Sequence, residues 1–326
     1  MPPPVRRKLL ASCWILALAL VLTAPALAGN GGVAPPGRSP NAEEIRDLHW
    51  VLLAITGAIF VLVEGALLFF IVRFRSAGRS REVEGPQIRG HRRLELIWTG
   101  IPVLILAGII SVVFYKLGGI QDVPAAGAAG PKMTIEVEGR QFYWLYKYPS
   151  GAVTVNDLRV PVDRPIELEV TAPENDVAHS WWVPALAGKI DAIPGKTNHT
   201  WFMAEEPGIY EGQCAEFCGV QHALMVASVL AVPADDFETW LSERERAAGD
   251  LGAETFAGAC APCHGLSGQG LIGPPLEGNS TVAERDRLRQ LLDNGKNAMP
   301  PVGRGWDDQQ FDALAAYVKQ EFASGG

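Results

Sequence analysis

The sequence has no excess of positive charge. It carries 28 Lys and Arg against 36 Asp and Glu, a formal net charge of −8 and a pI near 5.3. That balance excludes a nucleic-acid partner held by phosphate neutralisation. No internal repeat is visible in the sequence. Residues that bind metals are scarce, with five cysteines, five methionines and six histidines among 326 residues. Cys13 falls in an N-terminal apolar run expected to be cleaved. The other four cysteines form two close pairs, Cys214/Cys218 and Cys260/Cys263. Charge is uneven as well: residues 73–93 are basic and the chain after 120 is acidic. An acidic face suits a basic protein partner, or solubility alone.

Hydrophobic residues make up 48% of the chain, which fits soluble domains joined to membrane spans. Residues 1–28 have the pattern of a secretory signal: Arg6, Arg7 and Lys8, then apolar Leu9 to Leu22, then Ala26-Leu27-Ala28. Cys13 precedes most of that apolar run, so Leu10-Ala11-Ser12-Cys13 is not read as a lipidation site. Residues 29–47 are expected to be a flexible N-terminal segment. Residues 48–120 form a two-helix transmembrane hairpin, with apolar runs from Trp50 to Val72 and from Leu96 to Leu117. The connecting loop carries Arg73, Arg75, Arg79, Arg81, Arg89, Arg92 and Arg93, which places it in the cytoplasm and both mature termini outside. Glu64 lies inside the first span, where an acid normally faces a protein partner or a polar cavity.

Residues 121–233 alternate short strand-like runs with Gly/Pro turns, the pattern of a β-sandwich. The runs are Met133–Tyr148, Val153–Val162, Ile166–Thr171, Ser180–Pro184, Thr200–Met203, Ile209–Glu211 and Leu224–Val232. Residues 234–249 read as a linker helix with an apolar face of Phe237, Trp240 and Leu241, ended by Gly249. Residues 250–326 read as a small helical unit whose last helix starts near Asp307.

Two constellations carry chemistry. Cys218, His222 and Met225 have the spacing of a cupredoxin copper loop, combining a thiolate, an imidazole and a weak thioether. Cys214, four residues earlier, adds a second thiolate, and two thiolates can bridge two coppers. Each copper then needs its own imidazole. His49 and His91 sit at the membrane ends and His264 belongs elsewhere, which leaves His179 or His199, with position favouring His179. Zinc is the alternative, but Met is a poor zinc ligand. Two local disulfides would need neither the His nor the Met. The second constellation is Cys260-Ala261-Pro262-Cys263-His264, the attachment sequence for a c-type haem. His264 is then the proximal ligand and Met299, in Asn-Ala-Met-Pro-Pro, the natural distal one. Met133 and Met203 fall in the sandwich. Phe256, Leu314 and Tyr317 are expected to help seal the haem.

The runs LELIWTGIPVLIL, GRQFYWLYKY, AHSWWVPALAGKIDAIPG and GIYEGQCAEFCGVQHALM resemble subunit II of the haem–copper cytochrome c oxidases. Residues 250–326 resemble a small class I cytochrome c, so the whole is similar to the subunit II of caa-type oxidases. The resemblance implies a membrane-anchored, multi-domain chain: two transmembrane helices, a cupredoxin-like β-sandwich, then an all-α cytochrome c. It also implies a dinuclear CuA centre, with Cys214 and Cys218 bridging and His179 and His222 terminal. Met225 and the Glu216 carbonyl would be the weak ligands. The Glu216 side chain would reach a magnesium shared with subunit I, and Asp191 matches a residue near that site. The implied function is electron input to a terminal oxidase of the bacterial inner membrane. Implied partners are subunit I, other oxidase subunits, membrane lipid, and a soluble cytochrome c or an upstream donor complex.

The chain departs from the family at Phe142-Tyr143-Trp144, where Trp-Tyr-Trp is usual. The first Trp is the usual point where electrons arrive, so Phe142 and Trp144 are path candidates with that route open to question. Glu95 matches a family Glu at the mouth of a proton channel, or is simply an acid favoured by a helix N-terminus. Two alternatives remain: the CuA subunit of a nitric oxide reductase, and a copper metallochaperone, which would show an α/β pattern.

Overall fold

The structure is a computed structural model describing residues 36–75, 87, 89–246 and 250–323. The expected signal at 1–28, Arg79 and Arg81 of the basic loop, and Gly249 lie outside the described residues. Contacts divide the chain into one unit over Glu44–Ile120 and a second over Pro35–Glu43 and Gln121–Gly326.

Near-continuous apolar sequence gives the first unit its helices, α1 (Pro40–Arg73) and α2 (Arg92–Gln121). At 1.5 Å per residue they are about 50 and 45 Å long, more than the ~30 Å of a bilayer's hydrocarbon. Their apolar side chains, including Val61, Leu62, Leu104 and Phe114, are exposed, as a lipid-facing surface requires. Lys116 Nζ ties the helices together, 2.5 Å from Glu44 and 3.6 Å from Asp47. Glu95 lies in the first turn of α2 and accepts the His91 N–H at 3.0 Å, which caps that helix. Glu64 is exposed along α1.

The expectation of flexibility through residue 47 fails for its described part. Ser39 and Asn41 are buried, and α1 begins at Pro40. The Arg38 N–H bonds the Ala185 carbonyl at 2.8 Å, and Asn41 Nδ2 donates to the Trp201 carbonyl at 2.5 Å. Polar residues that composition marks as loop here fasten the chain to the sandwich through backbone partners.

The second unit begins with a short ribbon, β1 (Ala126–Gly127) with β2 (Gly130–Pro131). One five-stranded sheet follows the order β10-β7-β3-β4-β5. Its strands are β3 (Met133–Arg140), β4 (Tyr143–Lys147), β5 (Val153–Val155), β7 (Ile166–Thr171) and β10 (Asn198–Phe202). The other has the order β6-β12-β11-β8-β9. It comprises β6 (Asp157–Pro161), β8 (His179–Trp182), β9 (Ile190–Ala192), β11 (Gly208–Cys214) and β12 (Val226–Val232). Alternating apolar residues such as Met133, Ile135 and Val137 face the space between the sheets, as period-two patterning demands. Trp181 stacks on Phe202 and donates its indole N–H to Tyr146 at 3.1 Å.

Three sequence readings change. Met133–Tyr148 is two antiparallel strands, because the chain reverses at residues 141–142. Val153–Val162 is also two strands, and they lie in different sheets. Asn156 takes a left-handed φ of 63° between them, which asparagine tolerates, and its amide and side chain both bond the Trp144 backbone. The strand β9 was not anticipated, since three residues, Ile-Asp-Ala, carry no readable periodicity. The all-β arrangement leaves no room for the α/β pattern that a metallochaperone would need.

Helix α3 (Ala234–Arg246) packs Phe237, fully buried, with Trp240 and Leu241 onto the sandwich core. The helical remainder comprises α4 (Asp250–Thr255), a wide π turn over Phe256–Cys260, α5 (Ala261–His264), α6 (Ser280–Ala283), α7 (Arg285–Asn294) and α8 (Asp308–Phe322). Asp307 caps α8 by accepting the Gln310 N–H at 2.7 Å, as the sequence signal indicated. Strand β4 is covered on both faces. Trp144 and Tyr146 belong to the sandwich core, whereas Tyr143 and Leu145 belong to the core of the helical domain, with Phe256, Trp306 and Phe311.

Candidate functional site

Strand β11 ends at Cys214, whose N–H bonds the Met225 carbonyl at 2.9 Å and so closes residues 215–224 into a loop. The next N–H, of Ala215, bonds the Ser180 carbonyl at 2.8 Å and draws the loop against β8 beside His179. Gln141 Nε2 holds the Cys218 carbonyl at 2.6 Å. These ties bring together residues far apart in sequence. A ring nitrogen of His179 and the sulfurs of Cys214 and Cys218 all lie within 4.8 Å of one another, and all three residues are buried. The two sulfurs are 4.0 Å apart and both thiols are free. His222 reaches the group through Cys218, with Nδ1 3.7 Å from its sulfur, and the Met225 sulfur is 3.8 Å from the same atom. The Glu216 carbonyl accepts from the Cys214 thiol at 3.2 Å. His199 lies on β10 of the opposite sheet, exposed and paired in register with Glu169. Position in the fold therefore separates the two histidines that sequence left open.

The electrostatics suit a cation. His179 Nδ1 is buried without a protein partner, while Nε2 faces Asp176 Oδ1 at 3.3 Å. A buried ring nitrogen left unpaired is costly unless something else binds it. Burial pushes the His179 imidazole down, but the Asp176 carboxylate and the nearby Cys214 sulfur outweigh that and raise it. The Cys214 thiol is held far below the ordinary thiol range, first by the hydrogen bond from Cys218 and, against burial, by His179. Two soft thiolates, imidazoles and a thioether around one buried point make a donor set for copper rather than for a hard cation.

Sequence reasoning missed Asp176 and Gln141. Asp176 accepts from the Gln141 and Val177 N–H groups at 3.1 and 2.7 Å and faces His179, so it fixes both the ring and the approach of β4. An acid three residues before a candidate ligand histidine was the available signal. Of the aromatic run, Phe142 is 6% exposed and Trp144 wholly buried, its ring edge-on to His179 at 6.1 Å. The Asp191 carboxylate is engaged by Lys189 and Ser180, both at 2.8 Å, and lies below the usual range chiefly because of Lys189. The Glu216 side chain is exposed.

A second site is a cavity of about 760 Å³ in the helical domain. Cys260, Cys263, His264, Met299, Phe256 and Leu314 contribute to its wall. Tyr317 stands behind Phe256, ring centroids 5.5 Å apart. His264 Nδ1 bonds the Pro274 carbonyl at 2.8 Å, which fixes the tautomer and leaves Nε2 free. A Cβ on Gly273 would lie 2.7 Å from the imidazole Cε1, so this segment passes flat under the ring only as glycine. Met299 is held by a reciprocal backbone pair with Lys296, both bonds 3.0 Å, next to Asn297 with a left-handed φ of 55°. Two thiols, an oriented imidazole and a thioether in an apolar cavity of this size fit a covalently attached haem.

Comparison with known proteins bears on both sites. A profile described as cytochrome c oxidase subunit II, transmembrane domain, matches residues 30–117, and the periplasmic domain of the same subunit matches 152–232. A profile described as cytochrome c oxidase, cbb3-type, subunit III matches residues 247–318. Cytochrome c oxidase subunit 2 of Alkalihalophilus pseudofirmus is 32% identical over 310 residues, covering 86% of this chain and 88% of that protein. A probable cytochrome c oxidase subunit 2 of Rickettsia bellii is 35% identical over 238 residues, covering 67% of this chain and 85% of that protein. The crystal structure of the periplasmic domain of cytochrome oxidase subunit II from Bradyrhizobium japonicum is 35% identical, covers 35% of this chain and 94% of that one, and has a TM-score of 0.34.

Proposed function

Because this chain belongs to the cytochrome c oxidase subunit II family, we propose that it is the electron-input subunit of a terminal oxidase, passing single electrons from a covalently held haem c to a two-copper centre and on to subunit I, where dioxygen is reduced to water with proton pumping. Membership makes it part of a haem–copper oxidoreductase, anchored in a membrane and carrying an extracellular domain. The CuA domain implies copper and the cytochrome c domain implies haem c. The finer topology, with the basic loop in the cytoplasm and both mature termini outside, rests on the arginines of that loop.

The observation that carries the reading is the buried cluster of His179, Cys214 and Cys218 with its unpaired imidazole nitrogen. When bound, the copper pair would supply a one-electron acceptor, and two soft thiolates sharing its charge would keep reorganisation small. Cys214, Cys218, His179 and His222 would hold the coppers, with Met225 and the Glu216 carbonyl as weaker donors. Asp176 holds the His179 ring, and the buried wall of the cluster excludes water. Cys260 and Cys263 would anchor the haem, and His264 and Met299 would supply its iron ligands. A magnesium shared with subunit I would rest on the exposed Glu216 carboxylate, since Asp191 is already paired with Lys189. A proton-inlet role falls to Glu95 at the start of α2.

Metal and haem analysis of the purified membrane complex tests the reading. Two coppers and one covalent haem per chain are expected. Zinc in their place, or a cystine joining Cys214 and Cys218 in active material, would overturn it. A second measurement addresses the support of the ligands. Asp176→Ala is expected to weaken copper retention about 10- to 100-fold, the usual cost of losing a carboxylate behind a ligating histidine. Competition against a chelator measures this, and unchanged retention would remove Asp176 from the site.

A further inference from the structure

The haem cavity has one wall residue from the sandwich domain among the described residues, and that residue is Gln221. It belongs to the copper loop. Its backbone is bonded directly to that of His222, whose ring lies 3.7 Å from the Cys218 sulfur. Its side-chain amide donates to the Cys263 sulfur. One residue therefore touches the haem-attachment turn with its side chain and the proposed copper ligands with its backbone. Thioether formation leaves Cys263 a sulfur acceptor, so the contact is compatible with an attached haem.

The contact is braced by a wider interface. Tyr143 of β4 packs edge-on to Trp306 at 6.4 Å, and its hydroxyl accepts from Gln310 Nε2 at 3.4 Å. A Cβ on Gly258 would collide with Val155, so the π turn before Cys260 lies directly on β5. The cytochrome domain is thus seated on the sandwich rather than hanging from α3. Tyr143 is the member of the aromatic run that meets this domain, and its two neighbours do not reach the cavity. Phe142 and Trp144 are absent from the cavity wall, and Trp144 is wholly buried in the sandwich core.

We propose that Gln221 is a positioning residue that holds the haem-attachment turn against the copper loop, so that electrons cross at this contact and not through Phe142 and Trp144. The proposal rests on the two-centre reading above. One electron leaves the haem iron, ferrous becoming ferric, and one is gained by the copper pair. At Gln221 no bond forms or breaks and no proton moves.

The test uses the purified oxidase complex. Haem c is reduced in a rapid pulse, and the loss of the near-infrared copper band is followed. Gln221→Leu keeps the size of the residue but removes the donor. It is expected to slow this transfer at least tenfold and to lower the haem c potential, because a donor on the haem sulfur favours the electron-rich state. Gln221→Asn, which keeps the amide on a shorter arm, is expected to recover part of the rate. Phe142→Leu is expected to stay within twofold of wild type. A wild-type rate and an unchanged potential in Gln221→Leu would overturn the proposal. So would a slow Gln221→Leu that has lost its copper or haem bands, or a slow Phe142→Leu beside a normal Gln221→Leu. Absence of either band from the wild-type complex would instead refute the two-centre reading itself.

Discussion

Replacing Cys218 by serine is expected to abolish the two-copper centre while leaving haem c in place. Cys218 is the hub of the ligand set: its sulfur lies 4.0 Å from that of Cys214, 3.7 Å from His222 Nδ1 and 3.8 Å from the Met225 sulfur. Serine is a harder donor with a far higher pKa, so it neither bridges soft metals nor shares charge with Cys214. Losing even an outer partner of a metal ligand costs 10- to 100-fold in affinity, so loss of a bridge should exceed about 100-fold. The variant should bind at most one copper per chain, lose the near-infrared band and stop passing electrons to subunit I. Its c-type haem bands should stay, because Cys260, Cys263 and His264 line a separate cavity in the helical domain. Two coppers and an intact band in Cys218→Ser would sink the bridging assignment.

Met299→Ala should act in the opposite place. The haem stays covalently attached through Cys260 and Cys263, with His264 still oriented by Pro274. What is lost is the thioether that, paired with histidine, raises the haem potential. Axial ligands tune haem potentials over ~0.8 V, so a fall on the order of 0.1 V or more is expected. At 59 mV per decade for one electron, about 0.1 V is a roughly 50-fold shift against reduction by an upstream donor. Redox titration of the haem c band measures it directly. An unchanged potential would return Met299 to a packing role beside Leu292 and Val302.

The two motifs were legible because their chemistry is local. Cys214, Cys218, His222 and Met225 fall within twelve residues, and Cys260 to His264 within five. Covalent spacing alone keeps such donors near one another, whatever the rest of the chain does. The transmembrane helices were legible for a related reason: a continuous apolar run needs no partner to become a helix in lipid, where backbone groups must pair within the segment. The cap at Asp307 is of the same kind.

Pairings that depend on the sheets were not legible. Position in the sequence favours His179 over His199 without showing what either one meets. The β8–β11 pairing sets one beside Cys214, while β10 carries the other into the opposite sheet. Gln141 meets the Cys218 carbonyl across 77 residues of chain, and Gln221 meets Cys263 across 42. The seating of the cytochrome domain on β4 was equally hidden. Tyr143 and Leu145 alternate with Trp144 and Tyr146, and the sequence does not say that both faces of this strand are covered.

What the sequence by itself determined is the inventory: which donors exist, in which local clusters, and that the chain is anchored in a membrane. That His179 lies beside the two cysteines, that Asp176 faces its ring, and that Gln221 of the same loop reaches the second cavity are features of tertiary structure. The reason is physical. Bonds and short loops hold neighbouring donors together, but bringing His179 within 4.8 Å of the two sulfurs takes burial of a shared core, and that free energy belongs to the fold as a whole.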